Sequence, residues 1–175
     1  MNDADAFEEF VRRHQDLVFA TAVRLLGDRR DAEDIAQSVF LKAYRQFDQL
    51  RESPGAAGWL KTVATNECLN HLSRYRSRWR LFSEMRRTDD EGDDMDFEMT
   101  LATEGTPADA LDRVERRREL AAALLQLPPH QRVPIVLFHF DQMSYQDIAA
   151  RLGVTLAKIK TDIHRGREIL AKLLA

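Results

Sequence analysis

Cysteine, glycine and proline are scarce in this chain, and long hydrophobic runs are missing. One cysteine among 175 residues allows no internal disulfide bond, which favours a reducing, cytoplasmic location. No apolar segment approaches the length of a membrane span, and the first residues lack a signal-peptide pattern. Seven glycines and five prolines, beside 31% charged residues, favour a helical protein.

Sequence signatures of catalysis are also missing. There is no Gly-rich phosphate loop, no metal-ligand cluster and no nucleophile elbow. Cys68 and His71 have i, i+3 spacing, but both fall on the apolar face of a predicted helix without a further ligand nearby. A packed thiol and a hydrogen-bonded histidine are therefore favoured over a metal site, and His130, His139 and His164 are too scattered to form one. We expect no enzyme activity, no cofactor and no bound metal.

A net charge of −3 argues by itself against a nucleic-acid-binding protein, but the charges are unevenly distributed. Residues 81–110 contain 10 acidic and 2 basic residues, whereas residues 1–80 have a net charge of +1 and residues 111–175 one of +4. One acidic segment therefore masks two neutral-to-basic blocks. Residues 84–107 also lack a long apolar face, which indicates a flexible linker.

Apolar residues recur with the period of a helix, and no segment alternates convincingly as a strand would. We therefore predict an all-α fold with two small helical domains, at 1–82 and 108–175, joined by a flexible acidic linker at 83–107. Residues 48–55 are expected to form a loop. The predicted helices are 7–26, ended by Gly27; 31–47, capped by Asp31; 56–78; 107–127; and a short or late-starting helix within 130–140, which contains Pro134.

Residues 143–175 predict a helix-turn-helix. Ser144 is placed to cap its first helix, Gly153 suits the tight turn, and Thr155 is placed to cap the second helix. The second helix buries one face and turns a basic face outward, which suits the DNA major groove, although an ordinary hairpin with a solvated basic face is the alternative. The candidate DNA contacts are Thr155, Ala157, Lys158, Lys160, Thr161, His164, Arg165 and Arg167.

The predicted helix 31–47 has a large apolar residue, Leu41, in the middle of its charged face. A single exposed leucine often has no role, but charged neighbours on both sides make it a candidate anchor for a partner protein. Both interpretations stay open from periodicity alone. The candidate contacts on this face are Asp34, Gln37, Ser38, Leu41 and Arg45.

The predicted helix 56–78 carries Trp59 among amides, hydroxyls and cations on the face opposite its apolar side. Such a face resembles a platform for single-stranded nucleic acid, because the indole ring stacks on an unpaired base and amides bond to base edges. The alternative is that Trp59 closes the core beside a loop and that the remaining residues are solvated. The sequence alone does not separate the two.

Three segments, taken in chain order, form a pattern found in one protein family. They are DAEDIAQSVFLKAYRQF at 31–47, GWLKTVATNECLNHLSR at 58–74, and 124–170, which contains the helix-turn-helix. The chain resembles a bacterial RNA polymerase sigma factor of the sigma-70 family, and its two-domain layout resembles the extracytoplasmic-function group. The resemblance covers nearly the whole chain apart from the linker. It implies that 1–82 corresponds to region 2 and 108–175 to region 4.

The resemblance implies a subunit that binds core RNA polymerase and directs promoter recognition and transcription initiation, and that is monomeric when free. The helix at 31–47 would dock on the polymerase clamp, the helix at 155–168 would read the duplex minus-thirty-five element, and the linker would thread toward the RNA exit path. Members of this group are usually held inactive by an anti-sigma protein, often membrane-bound, and we expect one here. The loop and helix that would recognise and open the minus-ten element contribute Arg51, Trp59, Lys61, Thr62, Asn66, Asn70, Arg74, Arg76 and Arg78.

The chain departs from the family pattern at Pro134, at Ala157 and at Asp162. Asp162 stands where a basic residue is common, and we expect it to tune the DNA site without abolishing binding. One competing hypothesis is a stand-alone helix-turn-helix regulator, which would dimerise and bind a palindrome. It leaves the polar face around Trp59 unexplained. An enzyme that acts on nucleic acid is disfavoured because no acid/base or metal-ligand constellation is present.

Overall fold

The computed structural model of the chain describes residues 2–73 and 107–175, and all the regular structure in these ranges is helical. The chain divides into two compact units between residues 75 and 76, so the all-α, two-domain prediction is confirmed. The acidic linker falls almost wholly outside the described residues. Unit 1 contains α1 (Asp3–Leu26), α2 (Arg29–Arg45), α3 (Phe47–Leu50) and α4 (Ala56–Ser73), and unit 2 contains α5 (Pro107–Gln126), α6 (Pro129–His139), α7 (Tyr145–Leu152) and α8 (Leu156–Leu173).

The ends of α1 and α2 follow from side-chain caps. The Asn2 side chain accepts a hydrogen bond from the Ala4 N–H at 2.8 Å, so α1 begins four residues before the predicted start. Gly27 ends α1 in the left-handed conformation, with φ of 68°, as predicted. The prediction that Asp31 caps α2 was wrong, because Asp28 is the cap and accepts the Asp31 N–H at 2.9 Å.

The region after α2 also differs from the sequence prediction. The helix ends at Arg45, and the backbone of Gln46 breaks the helical path with φ of −119° and ψ of 19°. The next residues form the separate short helix α3, which buries both Phe47 and Leu50. The predicted helix was therefore wrong beyond Arg45. The predicted loop 48–55 was wrong at residues 48–50, which are helical, and was confirmed at residues 51–55.

The core of unit 1 lies where α1 packs against both α2 and α4. Val18, Val39, Leu60 and Cys68 are completely buried, and these four residues represent all three helices. The apolar face predicted for α4 is thereby confirmed for its described part. Burial of such side chains is the main stabilising term for a unit of this size.

Unit 2 is built around α6, which packs against α7 and α8. Leu124, Ile135 and Ile163 are almost completely buried and represent α5, α6 and α8. Pro134 lies inside α6 and is buried, so the helix begins before it, at Pro129, and is short, with 11 residues. A proline lacks the N–H that would bond back along the helix, so α6 continues through Pro134 without that bond.

No helix within 2–73 or 107–175 combines the length and apolarity needed to cross a membrane. In the same ranges, no three acidic, histidine or cysteine side chains come together as a potential metal site.

Candidate nucleic-acid interface

The helix-turn-helix of unit 2 forms from the three signals found in the sequence. The Ser144 Oγ accepts the Asp147 N–H at 3.1 Å and caps α7, and the Thr155 Oγ1 accepts the Lys158 N–H at 3.2 Å and caps α8. Between them, Gly153 adopts φ of 67°, which most other residues adopt only with strain. The predicted motif is confirmed at each of these positions.

The second helix of the motif, α8, buries two of the apolar residues predicted for its inner face. Ile159 and Ile163 are buried on the side facing the rest of unit 2. Ala157 and Lys160 are exposed, whereas Thr161, His164 and Arg165 are half-buried. The Nε2 atom of His164 lies 3.6 Å from a carboxylate oxygen of Glu168, one turn further along the helix.

Lys158 was expected to present its charge to solvent together with the other cations of α8, but it does not. Its ammonium group forms an ion pair with the carboxylate of Asp162, and the two side chains are only 14% and 9% exposed. Burial raises the pKa of Asp162, and the hydrogen bond and charge of Lys158 oppose this shift.

Arg167 lies against α6, although the sequence grouped it with the outward cations. Its guanidinium lies 5.5 Å from the centre of the Phe138 ring, and its Nη2 donates to the Nε2 of His139 at 3.3 Å. Burial, and then the charge of Arg167, lowers the pKa of His139 to about 4. Arg167 therefore contributes to the packing between α8 and α6.

A groove between α2 and α4 brings together part of the predicted minus-ten site. Trp59, Asn66 and Asn70 line one wall of it, spaced as one stripe along α4. Arg45, predicted as a polymerase contact, lies in the same groove. The groove residues that the sequence analysis did not single out are Lys42, Gln46, Val63 and Glu67.

Glu67 places a carboxylate in this groove, and two residues of α2 hold it. Lys42 forms an ion pair with Glu67, and the Ser38 hydroxyl donates to the Glu67 Oε2 at 3.2 Å. Ser38 is half-buried, and its hydrogen bond to Glu67 links α2 to α4. Val63 and Glu67 follow Trp59 at spacings of four and eight residues, so the α4 stripe itself is the sequence signal that would have found them.

Other predicted minus-ten residues lie away from the groove or outside the described residues. The Arg51 Nη1 lies 3.3 Å from the Asp3 Oδ1, and its guanidinium lies over the Phe47 ring at 5.3 Å. Lys61 is half-buried, at about 200° around α4 from Trp59. Thr62 is exposed on α4. The remaining predicted residues, Arg74, Arg76 and Arg78, lie outside the described residues.

The outward face of α2 is apolar at its centre and charged around it. Leu41 is 66% exposed, and Asp34, Gln37 and Arg45 are exposed with it, as predicted. Tyr44 was missed, although it follows Leu41 by three residues and is 61% exposed. Leu41 and Tyr44 are three residues apart on α2, so their exposed side chains lie on the same side of the helix.

A helix-turn-helix in one helical unit and a tryptophan-lined polar groove in another define a two-domain, helical DNA-binding protein. Residues 10–79 match the family model for sigma-70 region 2, and residues 117–170 match the model for sigma-70 region 4. The chain belongs to the extracytoplasmic-function (ECF) group of the sigma-70 family of RNA polymerase sigma factors. As a sigma factor it binds core RNA polymerase and promoter DNA and directs transcription initiation.

Two curated relatives carry this conclusion. The ECF RNA polymerase sigma factor SigW of Bacillus subtilis is 33% identical over 98% of this chain and 90% of its own length. The ECF RNA polymerase sigma factor SigE of Mycolicibacterium smegmatis is 34% identical over 97% of this chain and 62% of its own length. These relatives support a sigma factor and not the stand-alone regulator.

One solved structure is similar over most of this chain at a lower sequence identity. The sigma factor RpoE from Bartonella quintana, in a co-crystal with the anti-sigma factor NepR, is 24% identical, with a TM-score of 0.47 over 96% of each chain.

Proposed function

We propose that this sigma factor divides its contacts among three surfaces. The outward face of α2, centred on Leu41, binds core polymerase. The groove lined by Trp59, Asn66 and Asn70 holds the opened minus-ten strand. The exposed face of α8 reads the duplex minus-thirty-five element, with Ala157, Lys160, Thr161, His164 and Arg165 at the DNA. The factor itself performs no catalysis and needs no cofactor.

The observation that carries this proposal is the composition of the groove in unit 1. An indole ring, three amides and the cations Lys42 and Arg45 share one concave surface, in which Lys42 is ion-paired with Glu67. An unpaired nucleotide offers a flat face for stacking, polar edges for amides and a phosphate for a cation such as Arg45, so the ring, the amides and this cation each have a counterpart in a single strand. Stacking on an aromatic ring contributes about 1–3 kcal/mol per base, which offsets part of the free energy of unstacking.

In vitro transcription and core-binding assays with full-length variants separate the two surfaces of unit 1. Trp59→Ala should reduce open-complex formation by about tenfold or more and leave core binding unchanged, because it removes only the stacking platform. Trp59→Phe should retain an intermediate activity. Leu41→Ala should instead weaken core binding by about tenfold or more, as loss of an anchor does. A promoter library with core enzyme supplies the template.

Leu111→Ala is the matched control for Leu41→Ala, because Leu111 is a leucine of α5 that is 76% exposed and has no assigned role. It should leave core binding and transcription at the wild-type level. Equal loss of core binding in Trp59→Ala and Leu41→Ala would contradict the division into two surfaces. Wild-type transcription by both variants would contradict both assignments.

Family membership also supports a mode of control. The factor acts in the cytoplasm as a monomer when free, and an anti-sigma protein holds it inactive by covering faces that polymerase needs. The exposed pair Leu41 and Tyr44 on α2 is one such face. Competition tests this, since an inhibitor that bound together with core enzyme at full affinity would contradict occlusion.

A further inference from the structure

We propose that Asp162 withholds Lys158 from DNA, so that α8 meets the duplex with one cation fewer than its sequence suggests. Asp162 is a positioning residue in this scheme, because it acts on DNA affinity through Lys158. The inference rests on the proposed role of α8 in duplex binding. It also gives a physical consequence to Asp162, one of the positions at which the chain departs from the family pattern.

The two residues are separated by four positions and lie one above the other on α8. Lys158 stands near the start of the helix, where its N–H is bound by the Thr155 cap. Residues at this end of a recognition helix approach the base edges and phosphates of the major groove. An extended Lys158 would therefore be well placed to contact DNA, but its ammonium group lies instead on the Asp162 carboxylate.

The burial of Asp162 makes this arrangement hard to exchange for a phosphate contact. The Asp162 side chain is only 9% exposed, and the residue stands next to the buried Ile163 in the chain. If Lys158 moved to a phosphate, a buried carboxylate would lose its direct ion-pair partner, and that loss is costly. The positive charge of Arg165 also acts on Asp162, but the direct hydrogen bond comes from Lys158.

Exposed Lys160 offers the contrast within the same helix. It is two residues from Lys158 and exposed. A cation that neutralises a phosphate adds about 0.9 to the slope of log affinity against log salt concentration. Lys160 should contribute to this slope in the wild-type chain, and Lys158 should not.

The test measures binding of the full-length chain to a mixed-sequence DNA duplex by fluorescence anisotropy between 50 and 200 mM salt. The chains are wild type, Lys158→Met, Asp162→Asn, the Lys158→Met/Asp162→Asn double variant, and Lys160→Met. Methionine keeps most of the lysine stem without its charge, and asparagine keeps the shape of aspartate. Circular dichroism of each chain establishes that unit 2 remains folded.

Asp162→Asn should steepen the salt slope by about 0.9, so that the loss of affinity between 50 and 200 mM salt becomes about threefold larger. Lys158→Met alone should leave the slope unchanged. The double variant should return to the wild-type slope, because the cation released by Asp162→Asn is then missing. Lys160→Met should make the wild-type slope shallower by about 0.9.

Two results would overturn the proposal. One is an unchanged slope in a folded Asp162→Asn chain, and the other is a loss in Lys158→Met as large as that in Lys160→Met. The Lys158→Met result decides the matter even if Asp162→Asn does not fold. If Lys160→Met had no effect, α8 would not be the duplex-binding element, and the proposed function would fail together with this inference.

Discussion

His139 shows how one residue links the packing of unit 2 to pH. The Arg167 side chain has only donors, so the hydrogen bond between Arg167 and His139 requires that the histidine Nε2 accept, as it does in the neutral ring. Burial and the nearby positive charge both disfavour a protonated ring, and they lower the pKa of His139 from 6.5 to about 4.

A lowered pKa in the folded state contributes stability that is present above pH 6.5 and is lost as the pH falls toward 4. We therefore expect unit 2 to lose stability over this window by at most about 1.4 kcal/mol per pH unit. His139→Gln should remove this dependence. Denaturant unfolding at several pH values measures it, and NMR titration of the ring locates the midpoint. A midpoint near 6.5, or an equal slope in His139→Gln, would contradict the prediction.

At the scale of elements, Gly166 sets how closely α8 approaches α6. A Cβ atom at this position would overlap the Cδ1 atom of Ile135 and lie 3.3 Å from the Cβ of Gln131. Ile135 is completely buried and cannot turn its side chain to solvent. Alanine is more favourable than glycine in a helix by about 1 kcal/mol. At this position, helix propensity therefore favours alanine, whereas packing against α6 favours glycine.

Gly166→Ala should destabilise unit 2 by about 1–2 kcal/mol, because overpacking a core outweighs the gain in helix propensity. Ile135→Val removes the overlapping Cδ1 atom, so Gly166→Ala should be less destabilising in an Ile135→Val background than in the wild type. Thermal unfolding of the four chains measures this difference. A more stable Gly166→Ala chain would show that α6 and α8 are not in tight contact at Gly166.

The two-unit, all-helical fold followed from periodicity, but individual elements differed in how far the sequence predicted them. The helix-turn-helix was predictable because its signals are local: Ser144 and Thr155 each bond to an N–H three residues on, and Gly153 acts through its own backbone. The break at Gln46 depends instead on distant contacts. Phe47 packs against the rings of Phe7 and Phe10, at 5.0 and 5.5 Å between centroids, which no local pattern reveals.

At the scale of the whole molecule, each unit has its own core. Val18, Val39 and Leu60 are buried within unit 1, and Ile135 and Ile163 within unit 2. We therefore expect the proposed domains, 1–82 and 108–175, to fold as separate fragments. Each should unfold cooperatively on heating, with a helical circular dichroism spectrum, and Leu60→Asp should abolish the transition of the first fragment only. A fragment without a cooperative transition would contradict the proposed boundary.

The candidate site was partly predictable for a related reason. Trp59, Asn66 and Asn70 form a stripe on one helix, so their shared face follows from the helical period. The participation of Lys42 and Arg45 in the same groove depends on how α2 packs against α4. Periodicity within a single helix therefore identified one wall of the groove and did not identify the other.

The complete burial of Cys68 makes the chain suitable for chemical labelling, because the sequence contains no other thiol. A dye that reacts with thiols finds no accessible target while unit 1 is folded. A cysteine introduced at the exposed Gln37 then becomes the single labelling site, and its dye reports directly on binding to the α2 face. In the unlabelled chain, the rate at which Cys68 is modified reports how often unit 1 opens.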